Sequence, residues 1–188
     1  RVSEDVTLKA MAIRPNMKTA IMEKELTVNK ATMKSLIITP EPAGQYVFDG
    51  IQTLVDGVSG NRGGFRDGTW IGFNNLGTVE AIIDMEEESE ISKVGLSNYI
   101  CARDWIFGTV ELKVEVSSDG KSYREVASQK YEEPKDLHVE EVLDMVLTFD
   151  PVKAQYVKFI VVKTQELPEW HNGAGYSAFV FLDEFKVY

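Results

Sequence analysis

Three stretches of the chain place a tryptophan beside groups that can hydrogen-bond. They are "LVDGVSGNRGGFRDGTWIGF" (54–73), "CARDWIFG" (101–108) and "ELPEWHNGAGY" (166–176). Trp70, Trp105 and Trp170 offer broad apolar faces, and Phe65 offers a smaller one. Arg66, Arg103, His171 and Asn172 add planar polar groups. An aromatic face stacks on the apolar side of a sugar ring, while planar donors and acceptors answer its hydroxyls. For any single tryptophan, plugging the end of a core is an equal reading. Neutral His171 can likewise accept from a sugar hydroxyl or brace its own loop against backbone.

Bond-breaking chemistry is harder to assemble. His171 lies close in sequence to Asp183 and Glu184, yet adjacent residues of a strand point to opposite faces, so this acid pair cannot flank one glycosidic bond. No Gly-x-Ser-x-Gly elbow is present. Cys101, the sole cysteine, has no evident base partner and reads as a small residue at a strand end. His138 and His171 are too far apart in sequence for zinc-ligand spacing. Gly60, Gly63 and Gly64 lack the strand-before, helix-after setting of a phosphate loop. The acidic run "DMEEESE" (84–90) reads as a solvated turn. Catalysis has little support in these residues.

The elements that must position these loops are strands. In "VELKVEVSSDGKSY", Leu112, Val114 and Val116 alternate with Glu111, Lys113 and Glu115. Ser118-Asp119-Gly120-Lys121 then turns the chain into a returning strand from Tyr123. "AQYVKFIVVKT", "TVEAIIDM", "EISKVGLSNY" and "AFVFLDEFKVY" alternate similarly. Only "PKDLHVEEVLDMVL" offers a helix, and its last part fits a strand equally well. Short strands divided by turn signals predict an antiparallel sandwich or jelly roll. The segment "VTLKAMAIRPNMKTAIMEKELTV" predicts a hairpin turning at Arg14-Pro15-Asn16-Met17. "KATMKSLIITPEPAG" reads as a linker into the larger domain, with the boundary near Met33 to Leu36.

Length and charge narrow the partners. The 188 residues suffice for one core without disulfide or metal staples. A formal net charge of −10, from 20 basic and 30 acidic residues, opposes nucleic acid and anionic membranes. Neither a membrane-spanning apolar run nor a signal peptide is evident, and the chain opens mid-pattern, as a processed protein or an excised piece would.

A family comes into view at these residues. "TLVDGVSGNRGGFRDGTWIGF", "VEAIIDMEEESEISKVGL", "VELKVEVSSDGKSYREV" and the closing "FLDEFKVY" together resemble a coagulation factor 5/8 type C (discoidin-like) domain. More narrowly, they are similar to the family 32 carbohydrate-binding modules at the C-terminus of bacterial family 20 β-N-acetylhexosaminidases, where "DG-x-W-x-GF", "W-I-F" and "WH-x-GAG" recur in that order. The resemblance implies an all-β, eight-stranded antiparallel jelly-roll sandwich of the galactose-binding-domain type over residues 36–188. Residues 1–35 would be the hairpin and linker left from a preceding fibronectin-like domain. It also implies a structural Ca²⁺ where the first loop meets the last strand, with Asp56, Asn61, Thr69, Glu184 and carbonyls of Val58 to Asn61 as candidate oxygens. Asp56 capping a turn before Gly57 remains the alternative.

The function so implied is that of a non-catalytic module that targets an attached glycoside hydrolase, a β-hexosaminidase, to galactose or N-acetylhexosamine glycans. The sugar-site candidates are Phe65, Arg66, Trp70, Arg103, Trp105, Trp170, His171 and Asn172. Such a module would work outside the cytoplasm of a bacterium, in the periplasm, on the outer surface or secreted, with neither nucleic-acid nor membrane-inserted partners. The alternative is a structural accessory domain that orients the catalytic domain and binds no sugar.

Overall fold

The computed structural model describes residues 4–13 and 20–188, so the turn at Arg14 to Met17 lies outside the described residues. Among the described residues there are nine strands: β1 Val6–Met11, β2 Ile21–Leu26, β3 Ser35–Thr39, β4 Ile71–Phe73, β5 Thr78–Cys101, β6 Thr109–Ser117, β7 Arg124–Lys130, β8 Glu140–Lys163 and β9 Val180–Val187. All pairings between them are antiparallel.

Strands β5 and β8, each 24 residues long, give the domain its two layers. The first half of β5 lies between β3 and the second half of β8, which continues to β6 and β7. The second half of β5 lies between the first half of β8 and β9, and β9 pairs with β4. The register between β5 and β8 shifts at Asp84/Ser89 and Ile91/Lys93, so both strands bend there and cross from one layer to the other. The acidic run 84–90 is therefore the bend within a continuous strand. There Glu86 takes φ +68°, with its N–H donating to Asp84 Oδ1 at 2.8 Å. This jelly-roll sandwich uses seven strands over 35–188 where eight were expected, because two of them serve both layers.

Alternation fills the space between the layers. Leu112, Val114 and Val116 of β6 face Val157, Phe159 and Val161 of β8, and all six are buried. Val79, Ala81 and Ile83 continue this core, while Val94, Leu96, Leu182, Phe185 and Val187 close it from the other layer. Burying side chains of this size stabilises by roughly 1.5–3 kcal/mol each before chain entropy is counted. The helix suggested over "PKDLHVEEVLDMVL" is absent. Met145 and Leu147 are buried while Asp144 and Val146 are exposed, which is a two-residue period.

The supposed linker is also structured. Residues 35–39 form an edge strand with Leu36 and Ile38 buried. Residues 27–33 lie on the sandwich through backbone bonds from Thr27 N–H to Gly57 O (2.8 Å), Lys30 N–H to Val187 O (2.9 Å) and Met33 N–H to Val55 O (2.6 Å). Asn29 Oδ1 accepts from Val187 N–H at 3.0 Å. The β1–β2 pair stands away from this body, with Leu8, Met11, Ile21 and Met22 exposed.

Candidate functional site

The second and third tryptophan loops meet at one end of the sandwich. After β5, Ala102–Asp104 makes a single 3-10 turn and Trp105 takes a left-handed φ of +68°. Reciprocal bonds between Cys101 and Ile106 (2.9 and 3.1 Å) close the turn, and Trp105 O accepts from Phe179 N–H at 2.8 Å. A bulky residue held at positive φ needs such a surround to stay there.

His171 ties the two loops together. It is 3% exposed; Nδ1 accepts from Gly173 N–H at 3.0 Å, and Nε2 lies 2.8 Å from Ala102 O. Because Nδ1 accepts, Nε2 must carry the hydrogen and donate to Ala102, so the ring is the neutral Nε2–H tautomer. The nitrogens are both spent on backbone, and His171 braces the loops rather than offering an acceptor to a sugar. Gly173 is required by packing, since a Cβ there would lie 2.7 Å from Trp105 Cζ2. The "WH-x-GAG" sequence thus builds a joint: His171 reaches under Trp105 while Gly173 lets the ring lie flat against the loop.

Two aromatic surfaces emerge on either side of this joint. Trp105 stacks obliquely with Tyr176, centroids 5.4 Å apart, and Tyr176 is 65% exposed. Trp170, 43% exposed, backs onto Phe107 at 5.7 Å and an interplanar angle of 32°. Beside Trp170 runs a groove of about 330 Å³ walled by Pro168, Pro134, Glu132, Glu133 and Lys135. Glu133 is fixed by the Thr164 hydroxyl at 2.6 Å. Asn172 is exposed at the loop crest, and Arg103 is exposed and paired with Glu140, which also accepts from the Tyr99 hydroxyl at 2.7 Å. Tyr176 and residues 132–135 border this end without being among the sequence candidates. Tyr176 sits inside the quoted "WHNGAGY", but nothing local signals that residues 132–135 fold back against Trp170. Cys101 lies buried beneath the tip, its thiol pushed up to about 11 by burial and the neighbouring Asp104.

The first loop belongs to a different structure. Trp70 is fully buried and Phe65 nearly so, in an aromatic knot with Tyr46, Tyr99 and Phe181 (Phe65–Phe181 5.0 Å, Trp70–Tyr99 5.4 Å). Trp70 Nε1–H donates to Asn61 O at 2.9 Å, and Gly60 is obligatory because a Cβ would fall 2.5 Å from the indole. Neither ring has a face left for a ligand, so both leave the sugar-contact set. Arg66 is exposed, its guanidinium 5.0 Å from the Phe65 ring centroid.

Beneath that loop the acids gather. Glu184 takes φ +46° at a bulge in β9, where the register with β5 slips between Gly95 and Ser97. The slip cancels the usual alternation. Asp183 and Glu184 do not point apart as expected but both reach the 56–60 turn, Asp183 accepting from Gly60 N–H and Glu184 from Gly57 N–H at 2.9 Å. Burial pushes Asp183 up to about 7. Burial, with the charges of Asp183 and Asp56 added, pushes Glu184 up to about 9. Asp56 is raised too, by burial first, and its Oδ1 accepts from Val58 N–H at 2.7 Å. Asp183 Oδ1 and Glu184 Oε2 are buried without partners, so a hard cation or a shared proton fits this corner. Among the described residues no three His, Cys, Asp or Glu side chains converge as a metal centre, so Ca²⁺ here would need backbone oxygens besides Asp56 and Glu184. Asn61 and Thr69 brace the loop instead: Asn61 Oδ1 accepts from Gly63 N–H (2.9 Å), and Thr69 Oγ1 accepts from Asn61 N–H (3.0 Å) and donates to Asp67 (2.6 Å).

A two-layer antiparallel jelly roll with loops tied together at one end defines a class of small β-sandwich domains. Within that class the chain belongs to the F5/8 type C domain family, whose model matches residues 38–181. Among solved structures, chitosan-binding module 1 of a chitosanase/glucanase from Paenibacillus sp. IK-5 is similar at 16% identity and a TM-score of 0.54, covering 86% of this chain and 98% of that one. CpGH89CBM32-5 from Clostridium perfringens, in complex with GalNAc-β-1,3-galactose, is similar at 16% identity and 0.53, covering 82% and 94%. The family 32 CBM from C. perfringens NanJ, in complex with galactose, is similar at 14% identity and 0.53, covering 82% and 93%. No curated protein matches the chain.

Proposed function

We propose that the chain is a non-catalytic carbohydrate-binding module whose sugar site is the end formed by residues 101–108 and 166–176. One observation carries this reading: Trp170 and the Trp105–Tyr176 pair are held out at the surface by a buried joint, His171 against Ala102 and Gly173. Exposed aromatics cost solvation unless something covers them, and a sugar ring covers such a face without displacing the joint. Arg103, Asn172, Glu133 and the Tyr176 hydroxyl supply the hydrogen-bonding rim. The membership of the family and the sugar-complexed neighbours support the same reading.

The ligand is a galactose or N-acetylhexosamine glycan, and the partner is an attached glycoside hydrolase, a β-hexosaminidase, working outside a bacterial cytoplasm. A shallow site of this kind has a dissociation constant on the order of 1 mM, and attachment to the hydrolase multiplies its effect. Asp56 and Glu184 would hold a structural Ca²⁺ that fixes the first loop to β9. The test is calorimetric titration with galactose, N-acetylgalactosamine and N-acetylglucosamine. Saturable binding that Trp170→Ala abolishes, with folding intact, supports the module. Silence toward all three sugars would leave an accessory domain that only positions its neighbour.

A further inference from the structure

The segment "SGNRGGFR" (59–66) also acts away from the loop end. From this turn the Arg62 guanidinium reaches over the outer face of β5 and β8 to pair with Asp144, which also accepts from Ser97 Oγ at 2.8 Å. Beside this latch lies a cleft of about 260 Å³ over the β8–β5–β9 layer. Its floor is Gly95, set between Val146 of β8 and Lys186 of β9.

Gly95 pairs with Lys186 at the edge of the β9 bulge, just before the register slips to Ser97. Its φ is not in the left-handed region, and a Cβ there would meet Lys186 Cβ at 3.6 Å and Met145 O at 3.7 Å, both ordinary contacts. Glycine in a strand interior marks a bulge or a close approach by a ligand or another backbone, and at Gly95 the bulge and the open cleft coincide. Here its missing side chain keeps the cleft open. At the floor Asp183, 1% exposed, leaves Oδ1 without a partner. In a chain of formal charge −10, three cations line this one hollow, Arg62, Lys93 and Lys186, against two acids, Asp183 and the Asp144 that Arg62 pairs. Lys93 is held over the Tyr188 ring at 4.2 Å, and neither lysine is in an ion pair among the described residues.

We infer that this cleft is a second ligand site, distinct from the aromatic end, that takes an acidic saccharide. The carboxylate or sulfate lies between Lys93 and Lys186, the ring sits over Gly95, and the Ser59 and Ser97 hydroxyls meet its hydroxyl groups. Gly95→Leu plugs the hollow without a steric conflict at Cβ, and the pair Lys93→Gln with Lys186→Gln removes the free charges.

The experiment is an NMR-monitored titration with oligogalacturonate, galactose 6-sulfate, neutral galactose and inorganic sulfate. Expected are shifts at residues 93–97 and 183–188 with both acidic saccharides, weakened by salt and weakened about tenfold or more by the double lysine variant. Gly95→Leu, its melting temperature near wild type, should abolish them, and Trp170→Ala should leave them unchanged. Preference for only one of the acidic sugars identifies the anion and still supports the site. Inorganic sulfate shifting the same residues as strongly would overturn a saccharide site, as would no response to either acidic sugar. Unchanged affinity in both cleft variants would overturn it too. Neutral galactose reads the aromatic end separately, so failure there leaves this result standing.

Discussion

Replacing His171 by alanine separates support from contact at the loop end. The imidazole donates to Ala102 O and accepts from Gly173 N–H, at 2.8 and 3.0 Å, inside a site only 3% exposed. Truncation leaves both backbone groups unpaired, at about 1–3 kcal/mol each, and opens a void against Trp105 and Phe107. A loss of about 3 kcal/mol is therefore expected, partly relieved if water enters. For a domain of this size that lowers the melting temperature by about 6–12 °C. Sugar affinity should fall with it, because Trp105 loses its support. Trp170→Ala should do the reverse, removing binding while changing stability by less than about 1 kcal/mol, as a 43% exposed side chain would. Thermal melts and sugar titrations of the two variants form the assay. Full stability in His171→Ala with binding abolished would refute the bracing role and make the imidazole a direct contact.

Other consequences can be checked singly. Lys163, 2% exposed, donates to Thr164 O and Ala178 O at 3.0 and 2.9 Å, and burial lowers it from 10.5 to about 8. The unfolded state therefore holds more protons between those values, and wild-type stability should rise from pH 8 towards 10.5, a rise that Lys163→Met lacks in parallel denaturant titrations. If Asp56 and Glu184 hold Ca²⁺, millimolar calcium should raise the melting temperature and a chelator reverse it, while Glu184→Gln should be indifferent to both; no calcium response in the wild type would assign a shared proton to that corner. Gly60→Ala drives a methyl to 2.5 Å from the Trp70 indole, so a loss of about 1–3 kcal/mol is expected in chemical denaturation, and a neutral result would show that the turn relaxes freely.

Much of the sandwich can be read from alternation. The β6–β7 hairpin follows directly from Leu112, Val114 and Val116 and the turn at Asp119, whose carboxylate accepts from Lys121 and Ser122 N–H at 2.9 and 2.8 Å. The two long strands are not legible in the same way. The bend of β5 carries the acidic run 84–90, and solvated acids inside a continuous strand look like a turn when pairing partners are unknown. Trp70 and Trp170 are indistinguishable by local composition; only the register of β4 against β9 places one in the core and the other at the rim. The Asp183–Glu184 pair misleads for a definite reason. Strand alternation holds only where the ladder is regular, and Glu184 sits at positive φ in a bulge that no glycine announces.

The most direct test of sugar binding is tryptophan fluorescence of the wild type and Trp170→Phe during titration with galactose and the N-acetylhexosamines. The account predicts a saturable change in the wild type, on the order of 1 mM, that is lost or strongly reduced when Trp170 is the residue replaced. Wild-type emission unmoved by every sugar, or an undiminished change in Trp170→Phe, would contradict it.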